Sequence, residues 1–245
     1  MGLLKRSMPA SRSQIRRAVA LAHPVLVTGF EPFGGYGLNP SGEIARRLDR
    51  LQIAGVPIIG RVLPVVLDGL DTRLRDLVAS LRPSAIVALG LAGGETVIRL
   101  ERQAINRAAF EIPDNAGRQP ADQPLDPAGP AARASRLPLA AIQCALLARG
   151  IPARLSDSAG TYVCNAAMYT LLGAAPVTTP CGFIHLPHMR AEVARQIEAG
   201  GDLPADTARF ASMEFATLRR AVELAIEQVV LLGRSNRRPK ARPRA

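Results

Sequence analysis

Along the chain, short apolar runs alternate with stretches in which apolar positions recur at helical spacing. "VLVTGF", from Val25 to Phe30, is continuous and apolar and ends near a glycine, the pattern of a buried strand. "NPSGEIARRLDRL" then opens with Pro40 and Ser41 at a helix start and carries Ile44, Ala45 and Leu48 on one face. "VPIIGRVLPVV" is a second strand, which Pro64 must end or push to an edge. "LDGLDTRLRDLVASL" places Leu70, Leu74 and Leu77 at helical spacing, and "SAIVALGLAGG" is a third buried strand running into glycines. Such alternation predicts an α/β sandwich around a largely parallel sheet.

Residues 110–137 break the rhythm with five prolines and little periodicity, which reads as a long ordered loop or lid within one domain. Alternation then resumes: a helix near 138–149, a strand at 151–155, a helix starting near Cys164, a strand at 182–186 and a long last helix over about 206–232. The expected organisation is a single domain over residues 25–233 between two basic, disordered tails, 1–24 and 234–245.

Charge changes this picture only at the ends. The net charge of +11 is carried by Lys5, Arg6, Arg12, Arg16 and Arg17 at one end and by Arg234, Arg237, Arg238, Lys240, Arg242 and Arg244 at the other. The stretch between is balanced, so a nucleic-acid partner has only the tails behind it and no motif. The apolar run at residues 18–22 is far too short to span a bilayer, and no secretory signal pattern is present. Three cysteines make no disulfide framework, and a reducing cytoplasm fits them.

In α/β sheets, ligands gather where strands end and helices begin. Four segments answer that rule: "TGFEPFGG", "GLAGGETVIRLERQAIN", "SDSAGTYVCN" and "GFIHLPHM". Cys164 follows a stretch suited to a sharp turn, at a helix start that favours a thiolate. Free cysteine is equally at home as a small buried filler, the reading that suits Cys144 and Cys181, and the residues alone leave Cys164 open between the two. Were it a nucleophile, His185 at the end of "CGFIH" is the base within reach. His188, beyond Pro187, reads as a solvated loop residue, and His23 belongs to the basic tail. Glu101 is the best-placed third group on chain order, against the alternative of a surface glutamate paired with Arg99 or Arg102.

"VTGFEPFGGYGLNPS", "GLAGGETVIRLERQAIN", "IPDNAGRQP", "SDSAGTYVCN" and "GFIHLP" resemble, in this order, the successive motifs of the pyroglutamyl peptidases of cysteine peptidase family C15. The resemblance spans roughly residues 25–187, with a weaker continuation in "SMEFATLRRAVELAIEQ". It implies a three-layer α/β/α sandwich of phosphorylase/hydrolase type with a mixed, largely parallel sheet. It also implies removal of an N-terminal pyroglutamyl residue from peptides through a thioester, without metal or cofactor, by a triad carried here by Cys164, His185 and Glu101. Phe30 and Phe33 match the aromatic wall of the lactam pocket, Tyr162, Val163 and Ile112 line it further, and Asn39 fixes the pocket loop. A homo-oligomer, dimer or tetramer, is implied in the same way.

Two departures fall in the pocket. Leu91 stands where the family has Gln, removing a polar partner for the lactam, and Glu111 stands where the family has Arg. An inward-pointing Glu111 would raise the thiol pKa and weaken oxyanion binding. A milder departure is "LPHMRAE" after His185. Beside a working pyroglutamyl peptidase, the alternatives are a cysteine amidase for another small acyl or cyclic amide, and a non-catalytic peptide-binding relative.

Overall fold

The structure, a computed structural model, describes residues 23–199 and 211–237. Its centre is β1 (Val25–Phe30), buried along its whole length, flanked in parallel by β3 (Val56–Leu63) and β4 (Ala85–Leu91). β9 (Cys181–Leu186) adds in parallel beside β4. Outside β9 lie β5 (Ile98–Glu101), antiparallel to it, and β8 (Ala153–Ser156), parallel to β5. The short β2 (Gln52–Ile53) closes the other edge, giving the order β2-β3-β1-β4-β9-β5-β8. β4 and β9 are buried on both faces because helices cover both, as parallel sheets require, His185 being the one polar side chain on them.

One cover is made by α1 (Pro40–Leu48), α3 (Leu139–Leu147) and α6 (Phe215–Arg237), whose Ile44, Leu48, Ile142, Leu146, Leu218 and Val222 join a single apolar cluster against the sheet. The opposite cover is α2 (Leu70–Leu81) and α4 (Val163–Ala174), with Leu70, Leu74, Val78 and most of α4 buried. The architecture is thus the α/β/α sandwich with a mixed, mostly parallel sheet. α1 begins where the sequence placed it. Asn39 caps it by accepting from the Ser41 amide at 3.1 Å, and Pro40 opens the first turn. α1 also crosses β1 so closely that a Cβ on Gly29 would overlap the Ser41 carbonyl.

Residues 110–137 form the ordered lid, tied down by β7 (Ala132–Ala134) pairing antiparallel with β6 (Gln103–Ile105). Asp114 holds its tip, accepting from the amides of Ala116 and Arg118 on one oxygen and from the Leu67 amide on the other. After β9, β10 (His188–Met189) pairs with β11 (Ser212–Met213), and α5 (Arg190–Glu198) follows β10.

The sequence pattern missed β2, β5, the β6–β7 pair, β10, β11 and α5. The last helix is described from Phe215, after β11, and not from about 206, while residues 206–210 lie outside the described part. It also runs on to Arg237, past the expected tail start at 234, with Ser235 Oγ donating to the Leu231 carbonyl in the last turns. The tail expectations otherwise concern residues 1–22 and 238–245, outside the described residues. Cys181 is the buried filler expected, but Cys144 is exposed on α3. Among the described residues, no helix is long and apolar enough to cross a membrane.

Candidate active site

The sheet register assembles the site. His185 on β9 is the direct neighbour of Gly90 on β4 and of Arg99 on β5. Directly paired residues project to the same face, so His185, Arg99 and, two residues on, Glu101 all face the α4 layer. Gly90 offers no side chain there, and Cys164 fills the space: a Cβ on Gly90 would stand 2.9 Å from Cys164 Sγ. The thiol therefore sits on the backbone neighbour of His185. Only three of the four segments leave the C-terminal ends of parallel strands as expected. β8 runs against β9, and its last residue, Ser156, is level with Glu101, so the cysteine turn rises from mid-sheet.

His185 is buried, and its Nδ1 lies 2.8 Å from Glu101 Oε1. A carboxylate only accepts, so this contact puts the hydrogen on Nδ1 and leaves Nε2 with its lone pair. Phe183 packs its ring 4.8 Å from the imidazole centroid. Glu101 is fully buried, contrary to the surface alternative, and Arg99 lies 3.1 Å from its Oε1. That contact is ionic rather than a directed hydrogen bond, since Arg99 Nε and Glu101 Oε2 find no hydrogen-bond partner.

Cys164 is the second residue of α4, where the first amides precede the helical ladder; the first bond of the turn is Ala166 N–H to the Tyr162 carbonyl. The turn before it is shaped by Gly160 at φ 81°, whose amide donates to Ser158 Oγ, and by Thr161, whose hydroxyl donates to the Ala109 carbonyl at 2.6 Å. Burial pushes the Cys164 thiol up to about 12, and the Glu101 carboxylate adds to the rise. Its own backbone N–H and the Arg99 guanidinium pull the other way.

A narrow cleft of about 10 Å³ lies beside the thiol, lined by Phe30, Phe33, Asn39, Val65, Leu91, Tyr162, Val163 and Cys164. Phe33 and Phe110 pack on Tyr162 at 5.7 and 4.5 Å between ring centroids. The Tyr162 phenol, pushed up to about 12 by burial and by nearby Asp114 and Cys164, donates to the Pro113 carbonyl. Asn39 reaches the cleft wall with its amide already engaged, Nδ2 donating to the Glu31 carbonyl and Oδ1 accepting from Ser41. Ile112 does not line the cleft. It is 43% exposed outside the wall, its Cδ1 3.6 Å from where a Cβ on Gly34 would stand, because the lid turns it toward solvent. Glu111 is likewise exposed, so the inward geometry that would burden the thiol is not met.

Three residues escaped the sequence reading. Val65 follows a proline that ended its strand, and it lines the cleft. Asn165 is fully buried, accepting from the Ile105 amide and donating to the Ile105 and Arg107 carbonyls, each at 2.9 Å. Its position next to the cysteine was the available signal. His188 is 1% exposed and not a solvated loop residue: its ring stacks 4.5 Å from Tyr36, and burial lowers its pKa against the pull of Glu192.

Comparison with known proteins adds to this geometry. A family model described as pyroglutamyl peptidase matches residues 23–231. The chain is 45% identical over 204 residues to a pyrrolidone-carboxylate peptidase of Klebsiella pneumoniae, covering 82% of this chain and 90% of that protein. It is 39% identical over 209 residues to the one from Pyrococcus furiosus, covering 84% and 99%. The fold is similar to crystal structures of pyrrolidone carboxyl peptidase from the same hyperthermophile, with a TM-score of 0.78 at 38% identity, covering 86% of this chain and 99% of that one.

Proposed function

The chain belongs to the pyroglutamyl peptidase family, cysteine peptidase family C15, and from that premise we propose that it removes N-terminal pyroglutamyl residues from peptides with Cys164 as nucleophile, His185 as base and Glu101 as the group that orients the imidazole. The observation that carries the reading is the buried 2.8 Å contact between His185 Nδ1 and Glu101 Oε1 beside a thiol seated on Gly90.

The chemistry follows from these positions. A thiol held up near 12 keeps its proton in the free enzyme, so the step begins with transfer of that proton to His185 Nε2. The sulfur attacks the pyroglutamyl carbonyl, and the oxyanion falls to the unpaired amides at the start of α4. The C–N bond breaks as the imidazolium protonates the departing amine, leaving a thioester on Cys164. Water, giving its proton to His185, then hydrolyses the thioester, releases pyroglutamate and restores the thiol. Glu101 holds Nδ1–H throughout and stabilises the transient imidazolium.

Leu91 favours a second reading. It is buried in the cleft wall, and the polar side chains that line the cleft besides the thiol are already engaged with the protein, Asn39 with the Glu31 carbonyl and Ser41, and the Tyr162 phenol with the Pro113 carbonyl. A lactam bound there without a partner loses about 1–3 kcal/mol, which would favour a small apolar ring or acyl group. Release of a fluorescent amine from pyroglutamyl, prolyl and cyclopentanecarbonyl amides separates the two. Thiol-dependent turnover of the pyroglutamyl compound in preference to the others supports the peptidase; preference for the cyclopentane ring supports the amidase. A homo-oligomer, implied by the family, belongs to the same proposal and is read by light scattering.

A further inference from the structure

Arg99 is a part-buried cation that the triad chemistry leaves without a role. Its side chain makes four contacts that converge on the site: Nε to Glu101 Oε1 at 3.1 Å, Nη1 to Glu95 Oε1 at 3.2 Å, and Nη2 to Ser156 Oγ at 3.0 Å and to the Ser158 carbonyl at 2.8 Å. Ser158 opens the turn that leads to Cys164, and Arg99 is paired in register with His185. One guanidinium therefore joins the buried carboxylate, the histidine strand and the nucleophile turn. A planar fork with several donors is suited to this, and a buried charge without a partner is costly.

We infer that Arg99 is a positioning residue whose charge offsets Glu101 at the thiol and whose fork fixes the cysteine turn against β5. The inference rests on the triad reading above. The charged and titratable groups facing Arg99 are Glu95 from the preceding loop, Glu101 on its own strand, Arg154 on β8, His185 on β9 and Cys164 on α4. Glu95 also binds Arg154, at 2.8 Å, and so remains paired when Arg99 is removed. Glu101 does not: its carboxylate would then face the thiol with no cation to offset it. The proton on sulfur becomes harder to remove, and the Arg99 guanidinium is already one of the two groups easing its loss.

The test measures iodoacetamide alkylation of the full chain between pH 7 and 10, resolved by mass spectrometry so that Cys164 is read apart from Cys144 and Cys181. Arg99→Met is expected to slow alkylation of Cys164 about tenfold, one pH unit of thiolate population. Arg99→Lys, which keeps the charge but loses the fork, is expected to slow it by about threefold, less than Arg99→Met, and Arg154→Met to keep the wild-type rate. Wild-type rates in Arg99→Met, an equal loss in Arg99→Lys, or an equal loss in Arg154→Met each overturn the inference. Should the methionine variant not fold by thermal melting, Arg99→Gln drops the charge while keeping a donor for Ser158 and carries the same test. Pyroglutamyl-amide turnover by the wild type is followed in parallel. Its absence sinks the proposed function, while the alkylation rates still decide the role of Arg99.

Discussion

A methyl group added at Gly90 would stand 2.9 Å from Cys164 Sγ and 2.7 Å from Phe183 Cζ, so one of them must move. Gly90→Ala is expected to displace the thiol from beside His185 and lower kcat/KM by about 100-fold, since misplacement near 1 Å costs that much. Steady-state kinetics with a circular-dichroism check on folding measures it. At Leu91 the expectation has the opposite sign. Leu91→Gln supplies the missing polar partner at the cleft wall and is expected to raise kcat/KM for a pyroglutamyl amide about tenfold relative to a cyclopentanecarbonyl amide. An unchanged ratio means the lactam finds its partners elsewhere. Of the residues brought together here, His185 stood out because few histidines were available, whereas the residues alone left Cys164 open and only the resemblance of its motif to the family singled it out. Glu101 was harder: flanked by Arg99 and Arg102 it looks like a surface charge, and only the pairing of β5 with β9 shows it fully buried.

Element by element, α4 depends on a single amide. Asn165 binds the backbone of Ile105 and Arg107 with three hydrogen bonds from a fully buried position, fixing the nucleophile helix to β6. Asn165→Ala leaves one N–H and two carbonyls without that partner and is expected to cost about 2–4 kcal/mol in urea unfolding, with a fall in kcat as the helix start shifts. The long elements were legible because burial on both faces or one face writes itself as an apolar run or a helical period. β5 was not, because Arg99 and Glu101 alternate with Ile98 and Leu100 on a strand whose charged face is buried in the site. The same cause hid β10. His188 carries a polar name but is covered by Tyr36 and lies close against Gly93, contacts set by loops distant in the sequence.

At the scale of the molecule, two buried thiols make stability depend on alkaline pH. Burial pushes Cys181 up to about 12 from an ordinary 9.0, so between these values the native state holds a proton that the unfolded chain releases. The contribution is intact below pH 9 and is lost as pH rises toward 12, the sign expected for an acid whose folded pKa is raised. From pH 8 to pH 10 this thiol alone is expected to cost about 1.4 kcal/mol. Cys181→Ala should flatten the urea-midpoint slope over that range by this amount, and an unaltered slope would show that Cys181 does not drive it. Fold class and layer order were readable from the alternation of elements. Strand direction at the β9–β5 edge was not, because nothing in the periodicity of a four-residue strand records which way it runs.

The proposed activity requires that Cys164 attack a pyroglutamyl carbonyl with His185 as base. Its most direct test is acid quenching of the enzyme during turnover of a pyroglutamyl amide, followed by mass spectrometry of the Cys164 peptide. The prediction is a pyroglutamyl group on that peptide, absent in His185→Ala and in Cys164→Ala. Turnover with no such adduct, or turnover that survives in Cys164→Ala, would contradict it.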